Sequence, residues 1–422
     1  MNRNVPEIRF GEFEGEWEEC PFKSIFSVMQ NNTLSRAEMH YGEGLAKNIH
    51  YGDVLIKFGE HIDVSKMLLP CINNSRVVAT LETSKLANGD VVVADTAEDE
   101  TAGKCVEVNG ISDVKIISGL HTMPCRPSKK YAPGYLGFYM NSPAYHEQLI
   151  PLMQGTKVTS ISREALKETF LRFPRNLAEQ EKIVNILDNI NENITIATNR
   201  HEKLLALKKT MLQKMFPLEG ESVPRIRFGE FEGEWETVLL KRIAWKVIAR
   251  NEHRDYTETF TNSAEHGIIS QREYFDHDIS NADNINGYYI VAEDDFVYNP
   301  RISTNAPVGP INRNKLGRKG IMSPLYTVFR PHDVDCAYLE WFFKSRCWHT
   351  YMFYNGDNGA RYDRFSIKDD VFFDMPIPLP CMKEQQKIGE YFDTLENAIT
   401  SQEQKIEKLK QMKAALMQKM FI

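Results

Sequence analysis

No run of this sequence approaches the roughly 20 consecutive apolar residues needed to cross a bilayer. Its beginning, Met1-Asn2-Arg3-Asn4-Val5-Pro6, lacks the apolar core of a secretion signal. The seven cysteines form no Cys-x-x-Cys pair, which excludes a zinc knuckle and a disulfide framework and fits a reducing cytoplasm. A G-x-x-x-x-G-K-[ST] phosphate loop is missing, so ATP hydrolysis is not expected, and the eleven histidines show no H-E-x-x-H spacing. The Asn/Asp-Pro-Pro-aromatic signature of adenine methyltransferases is missing too. Its nearest match, Asn299-Pro300-Arg301, reads as a turn. Glu403-Gln404-Lys405 has the E-x-K order of some nucleases but falls in a helical stretch and reads as a solvated face. The expectation is a chain with no catalytic residues and no metal site.

What remains is a globular composition of 422 residues, 42% apolar and 26% charged, enough for two or more domains. The net charge of −7 argues against nucleic acid only if the charges are evenly mixed, because segregated charge or a basic partner changes the local field.

The dominant feature is an internal repeat. Val5 to Glu18 reads VPEIRFGEFEGEWE and Val223 to Glu236 reads VPRIRFGEFEGEWE, thirteen of fourteen positions identical at an offset of 218. Farther on the offset is 205, so the first copy carries about 13 extra residues between this motif and Asp90. Gly89-Asp90-Val91-Val92-Val93 then faces Asp294-Asp295-Phe296-Val297-Tyr298, and Ser118-Gly119-Leu120-His121-Thr122 faces Ser323-Pro324-Leu325-Tyr326-Thr327. Tyr135-Leu136-Gly137 faces Tyr338-Leu339-Glu340, and Gly155-Thr156-Lys157 faces Gly359-Ala360-Arg361. Both copies leave through Phe/Pro-containing segments, Phe173-Pro174 and Pro376 to Pro380. Asp53 to Phe58 and Val91 to Val93 read as strands, Pro133 to Leu149 and Ala337 to His349 as helices.

Each copy ends in a long stretch without Pro or Gly in the first case, Glu179 to Phe216, and its equivalent Glu384 to Phe421. Ile183, Leu187, Ile190, Ile194, Ala197, His201 and Leu204 follow 4-3 spacing, as do Ile388, Phe392, Leu395, Ile399, Gln402, Ile406 and Leu409. Such a seam needs a covering partner, and the simplest is the other copy, antiparallel. Beyond Leu204 and Leu409 a strict heptad places Lys208 and Lys413 in the seam. Leu207 and Met412 are expected to take those places, a slip shared by both copies. By the duplication, the second helix should end near Val5-Pro6, making the chain pseudo-cyclic.

Binding chemistry is read from basic loops. Arg301, Asn305, Arg313, Asn314, Lys315, Arg318 and Lys319 lie in a run without acidic residues, and Arg361, Tyr362 and Arg364 form a second loop. Arg and Asn suit bidentate contacts with guanine and adenine, and Lys suits phosphate. Arg126, Lys129, Lys130, Lys157 and Arg163 occupy the corresponding places in the first copy. Trp17 and Trp235 read as anchors of their domains. The repeated Glu12, Glu14, Glu16 and Glu18 suit a face turned from DNA toward a basic partner.

The ordered set of Arg-Phe…Gly-x-Trp openings, the Ser-Gly-Leu-His-Thr run, the Gly-Thr-Lys and Gly-Ala-Arg loops and the exits followed by Glu-Gln-x-Lys-Ile resembles the DNA specificity subunit of type I restriction–modification systems over nearly the whole chain. The resemblance implies an α+β fold class: two duplicated globular domains of mixed α/β recognition type, separated by two long antiparallel coiled-coil helices with pseudo-twofold symmetry. It places target recognition domains at 1–176 and 218–381 and spacer helices at 177–217 and 382–422. It implies a non-catalytic subunit that binds bipartite double-stranded DNA and directs two methyltransferase subunits and restriction/translocase subunits to it. S-adenosylmethionine, ATP and Mg are then expected on those partners, and none in this chain. A bacterial or archaeal cytoplasm, at the nucleoid, is the implied location. The competing readings are a stand-alone two-lobed DNA-binding regulator and a protein scaffold.

Overall fold

The computed structural model describes residues 4–155, 157–274, 285–358 and 363–422. They form two compact units, Met1–Ala197 with Lys405–Ile422, and Thr198–Gln404. Each of the two 38-residue helices, Leu177–Lys214 and Met382–Lys419, therefore begins in one unit and ends in the other. None of the described helices is long and apolar enough to cross a membrane.

In the first unit a five-stranded sheet runs in the order Phe26–Val28, Thr122–Pro127, Asp90–Ala94, Cys105–Asn109, His61–Asp63. All its pairs are antiparallel except the last, which is parallel. The central strand is buried on both faces, Val91 and Val93 in one core and Val92 and Ala94 in the other, as the two-residue period of a strand requires. In the second unit Ala244–Lys246, Thr327–Pro331, Phe296–Tyr298 and Ile311–Arg313 form the equivalent four antiparallel strands. Phe296 and Tyr298 enter one core there and Val297 the other. The fifth strand, His61–Asp63, has no counterpart in that four-stranded sheet.

Three local expectations are corrected. Asp53 to Phe58 is not a strand, because Tyr51–Ile56 is helical. His50 caps it by accepting from the Gly52 N–H, and Val54 faces the core while Ile56 is exposed. The expected helix Pro133 to Leu149 is two, Tyr135–Met140 and Pro143–Leu149. Pro143 cannot continue the first and sits in the opening turn of the second. Ala337 to His349 likewise divides into Cys336–Lys344 and His349–Asn355.

The repeated opening motif closes onto the start of the long helix of its own unit. Arg9 Nε and Nη2 donate to the two carboxylate oxygens of Glu179 at 2.8 and 2.9 Å, and its Nη1 donates to the Gly15 carbonyl. Arg227 repeats this on Glu384 at 2.7 and 2.8 Å, and on the Gly233 carbonyl. Both carboxylates are buried, with side chains 2% and 1% exposed. Gly15 and Gly233 have φ of 83° and 82°, a turn that places their carbonyls on the guanidinium at no steric cost. Trp17 and Trp235 are buried beside these pairs, as domain anchors, and Trp17 Nε1 donates to Glu179 at 3.2 Å. The next helix residue is equally committed. Gln180 accepts from the Ala132 N–H and donates to the Pro174 carbonyl, and Gln385 does the same with Asp335 and Pro380. Two of the repeated glutamates find their cation in their own unit: Glu12 pairs with Lys182, and Glu18 with Arg175.

The helix ends repeat as well. The Ile226 N–H donates to the Lys214 carbonyl, and the Ile8 N–H to the Lys419 carbonyl, both at 2.9 Å. Phe216 packs on Tyr338 and Phe342, and Phe421 on Tyr135 and Tyr139. The end of the second helix thus lies at the first opening motif, the pseudo-cyclic closure expected from the duplication.

The slip expected in the seam is absent. Leu207 and Met412 are 37% and 53% exposed. Lys208 and Lys413 keep the strict 4-3 positions, less exposed than those neighbours, and the pattern runs on through Met211, Met215, Leu416 and Met420. A carboxylate makes each lysine tolerable: Lys208 pairs with Glu396, and Lys413 with Glu60 at 2.6 Å. In the second unit His201 faces Glu403 and Lys208 faces Glu396. Seven residues forward on one helix match seven backward on the other, so the pair is antiparallel.

Replacing Arg227 by Ala strands Glu384 without a counter-charge in a buried site. The expected loss is about 3–5 kcal/mol, read from denaturant unfolding of the full chain, and a loss below ~1 kcal/mol would reject the staple as a major support. A second expectation concerns pH. The imidazole of His61 donates to Asp188 Oδ1 at 2.7 Å. This bond raises the His61 pKa above its usual 6.5 despite the opposing effect of burial. Its stabilisation is full below pH 6.5 and is lost as pH rises through the raised value. His61→Gln should flatten the alkaline side of the Tm–pH curve, and an unchanged curve would contradict the assignment.

Candidate nucleic-acid interface

The basic residues read from the sequence divide into two kinds. One kind holds the scaffold. Arg126 donates from Nε and Nη2 to Asp90 at 2.9 and 2.7 Å, and Arg330 does so to Asp295 at 2.7 and 2.9 Å. Each carboxylate is fully buried and also receives the N–H three residues before it, from Ala87 or Ala292. These hydrogen bonds raise the guanidinium pKa in both copies. Each clamp ties adjacent strands of its sheet. Arg330 was missed in the sequence, although an aspartate aligned at the head of both central strands was a usable signal.

Arg313 also belongs to the scaffold. Its side chain is 18% exposed, 2.5 Å from Asp294 and 3.6 Å from Glu340. Strand pairing makes it the equivalent of Glu107, because Phe296 faces Arg313 as Val91 faces Glu107. Glu107 accepts from the N–H groups of Gly134 and Gly137 at the start of the helix Tyr135–Met140, and burial raises its pKa. In the second unit the carboxylate has moved to the helix as Glu340, opposite an arginine on the strand. Gly137 cannot carry such a side chain, since a Cβ there would lie 2.1 Å from the Glu60 carbonyl. Asn314 is buried, donating to the Ala292 and Arg318 carbonyls and accepting from the Leu316 N–H. Arg318 forks onto Glu258 at 2.8 and 2.7 Å, and Lys315 lies 3.4 Å from Glu340.

The other kind is presented outward. Arg301, Asn305 and Lys319 are exposed and Arg364 is half-buried. In the first unit Lys129, Lys130, Lys157 and Arg163 are exposed, Lys129 being 3.8 Å from Glu18 and Arg163 donating to Asn31. Arg361 and Tyr362 lie outside the described residues.

Arg301 and Arg364 meet as directly opposed residues of an antiparallel bridge. The first unit has a ribbon at the same place, where Thr96 faces Ser160. Each ribbon follows its central strand in sequence. Beside the first ribbon, His121 Nδ1 lies 3.4 Å from both Thr96 Oγ1 and Asp95 Oδ1. Its counterpart Tyr326 lines a cleft of about 350 Å³ with Arg301, Asn299, Thr261 and Ser303. The arrangement offers hydroxyls and an imidazole in one unit, guanidiniums and a phenol in the other, all suited to base edges or phosphates. Among the described residues no cluster of three or more His, Cys, Asp or Glu is arranged to hold a metal ion.

Comparison with known proteins agrees with this architecture. Residues 233–411 match the family model of the type I restriction modification DNA specificity domain. The MjaX type I restriction enzyme specificity subunit of Methanocaldococcus jannaschii is 23% identical, over 98% of this chain and 95% of its own length. The crystal structure of the type I restriction-modification system S subunit from M. genitalium superposes with a TM-score of 0.56 at 12% identity, covering 99% of each chain. A structure solved in work on complex assembly and conformational transition of the type I R-M system gives a TM-score of 0.54 at 16% identity, over 95% of this chain and 96% of that one. Residues 233–411 are thus similar to the specificity domain, and the whole chain has the mixed α/β, long-helix fold of these solved S subunits, as its sequence led us to expect.

Arg313→Ala leaves the buried Glu340 and the partly exposed Asp294 short of a cation. A loss of roughly 1–3 kcal/mol is expected, measured by denaturant unfolding. Unchanged stability would return Arg313 to the outward-facing set.

Proposed function

We propose that this chain is the non-catalytic sequence-specificity subunit of a type I restriction–modification system. Each unit reads one half of a split double-stranded DNA target. The observation that carries this reading is the duplication itself: one recognition scaffold built twice, with each copy stapled to the start of a long helix. A single-site binder has no use for two copies that share their scaffold and differ at their outward residues. The whole-chain likeness to specificity subunits supports the same reading.

In this reading the subunit contributes no chemistry. Two methyltransferase subunits dock on it, bringing S-adenosylmethionine, and restriction/translocase subunits bring ATP and Mg. The long helices set the unread gap between half-sites. At 1.5 Å per residue, 38 residues give about 57 Å, more than one turn of B-DNA, about 34 Å. The working place is the cytoplasm, at the nucleoid. The acidic net charge of −7 is then offset by basic surface on partners.

Four residues inserted after Ala197 lengthen the first long helix and break its uninterrupted 4-3 seam. Methylation mapping with the assembled complex should show the same two half-sequences at a changed gap. Retention of the original gap would defeat the spacer role.

A further inference from the structure

The two units can be compared position by position, and the comparison separates scaffold from reader. Scaffold positions repeat their chemistry. Asp90–Arg126 recurs as Asp295–Arg330. The helix carboxylates Asp188 and Asp393 are each met by a ring N–H, from His61 and Trp341. The ribbons do not repeat. Thr96 opposite Ser160 becomes Arg301 opposite Arg364, and His121 becomes Tyr326.

Directly opposed residues of an antiparallel pair extend from the same face, and like charges there destabilise the pair. Arg313, Arg318 and Arg330 each have a carboxylate. Among the described residues, Arg301 and Arg364 have none. Two arginines directly opposed on one face of a ribbon, with no carboxylate partner among the described residues, suit an anionic ligand with acceptor pairs. The guanidinium fork matches the O6 and N7 acceptors of guanine in the major groove. The first unit bears its own mark at the same place: His121 has φ of 52°, a left-handed conformation costly for a residue with a Cβ.

We propose that this ribbon is the base-reading element of each unit. Arg301 and Arg364 read guanine in one half-site, while Thr96, Ser160 and His121 read the other half-site without a guanidinium. The proposal rests on the specificity role inferred above.

The test uses the full chain assembled with its methyltransferase subunits on a randomised DNA library, with methylated adenines mapped by sequencing. Arg301→Ala and Arg364→Ala should each lower the preference for guanine at one position roughly ten- to a hundredfold. The other half-sequence should stay unchanged. Arg301→Lys keeps the charge and loses the fork, so overall affinity should hold while the guanine preference falls. His121→Ala should relax only the opposite half. An unaltered consensus in all four variants, or weakening that is equal across sequences with a shallower salt dependence, would mark phosphate contacts and overturn the ribbon. A wild-type complex with no two-part consensus would overturn the specificity reading, and the ribbon with it.

Discussion

The buried pairing of an arginine in the opening motif with the first-turn glutamate of the long helix is the constraint on which each unit depends. Arg9–Glu179 and Arg227–Glu384 span 170 and 157 residues of chain, so each closes the recognition domain from its first residues to its last. A carboxylate this deeply buried is tolerable only with a bidentate cation and further donors. The motif is nearly identical in both copies: the turn at Gly15 or Gly233 and a buried indole, Trp17 or Trp235, recur, although only the Trp17 N–H donates to its carboxylate. The adjacent glutamine, bonding backbone on both sides, fixes the direction in which the helix leaves.

Around that fixed frame the same problems are solved with different residues. A helix aspartate is met by His61 over Phe138 in the first unit and by the larger Trp341 alone in the second. A seam lysine is neutralised by Glu60, which hydrogen-bonds Asn191 as well, in the first unit, and by Glu396 from the partner helix in the second. A strand glutamate capping a helix becomes a strand arginine facing a helix glutamate. Each exchange keeps the polar group partnered rather than keeping residue identity. Buried polar groups need partners wherever they come from, and the repeat fades to weak similarity at these places.

The outward positions follow no such rule. Where no buried group demands a partner, the two ribbons diverge to hydroxyls and imidazole in one unit and guanidiniums in the other. A common scaffold with divergent tips fits a subunit whose two halves address different surfaces of one long polyanion. It also shows why net charge was a poor guide. Many of the basic residues are spent inside ion pairs.

The sequence by itself determined the duplication, the two long helices with their 4-3 seam, the central strands, the anchoring tryptophans and the family resemblance. All of these are written in identity or period within short windows. Only the tertiary structure decided which basic residues are structural. Arg126, Arg313 and Arg318 look like Arg301 in a string of letters, but Asp90, Asp294 and Glu258 reach the first three through folding. The fate of Lys208 and Lys413 was decided in the same way. A heptad rule rejects lysine from a seam, and the structure keeps both because a carboxylate close in space, though distant in sequence, satisfies each one.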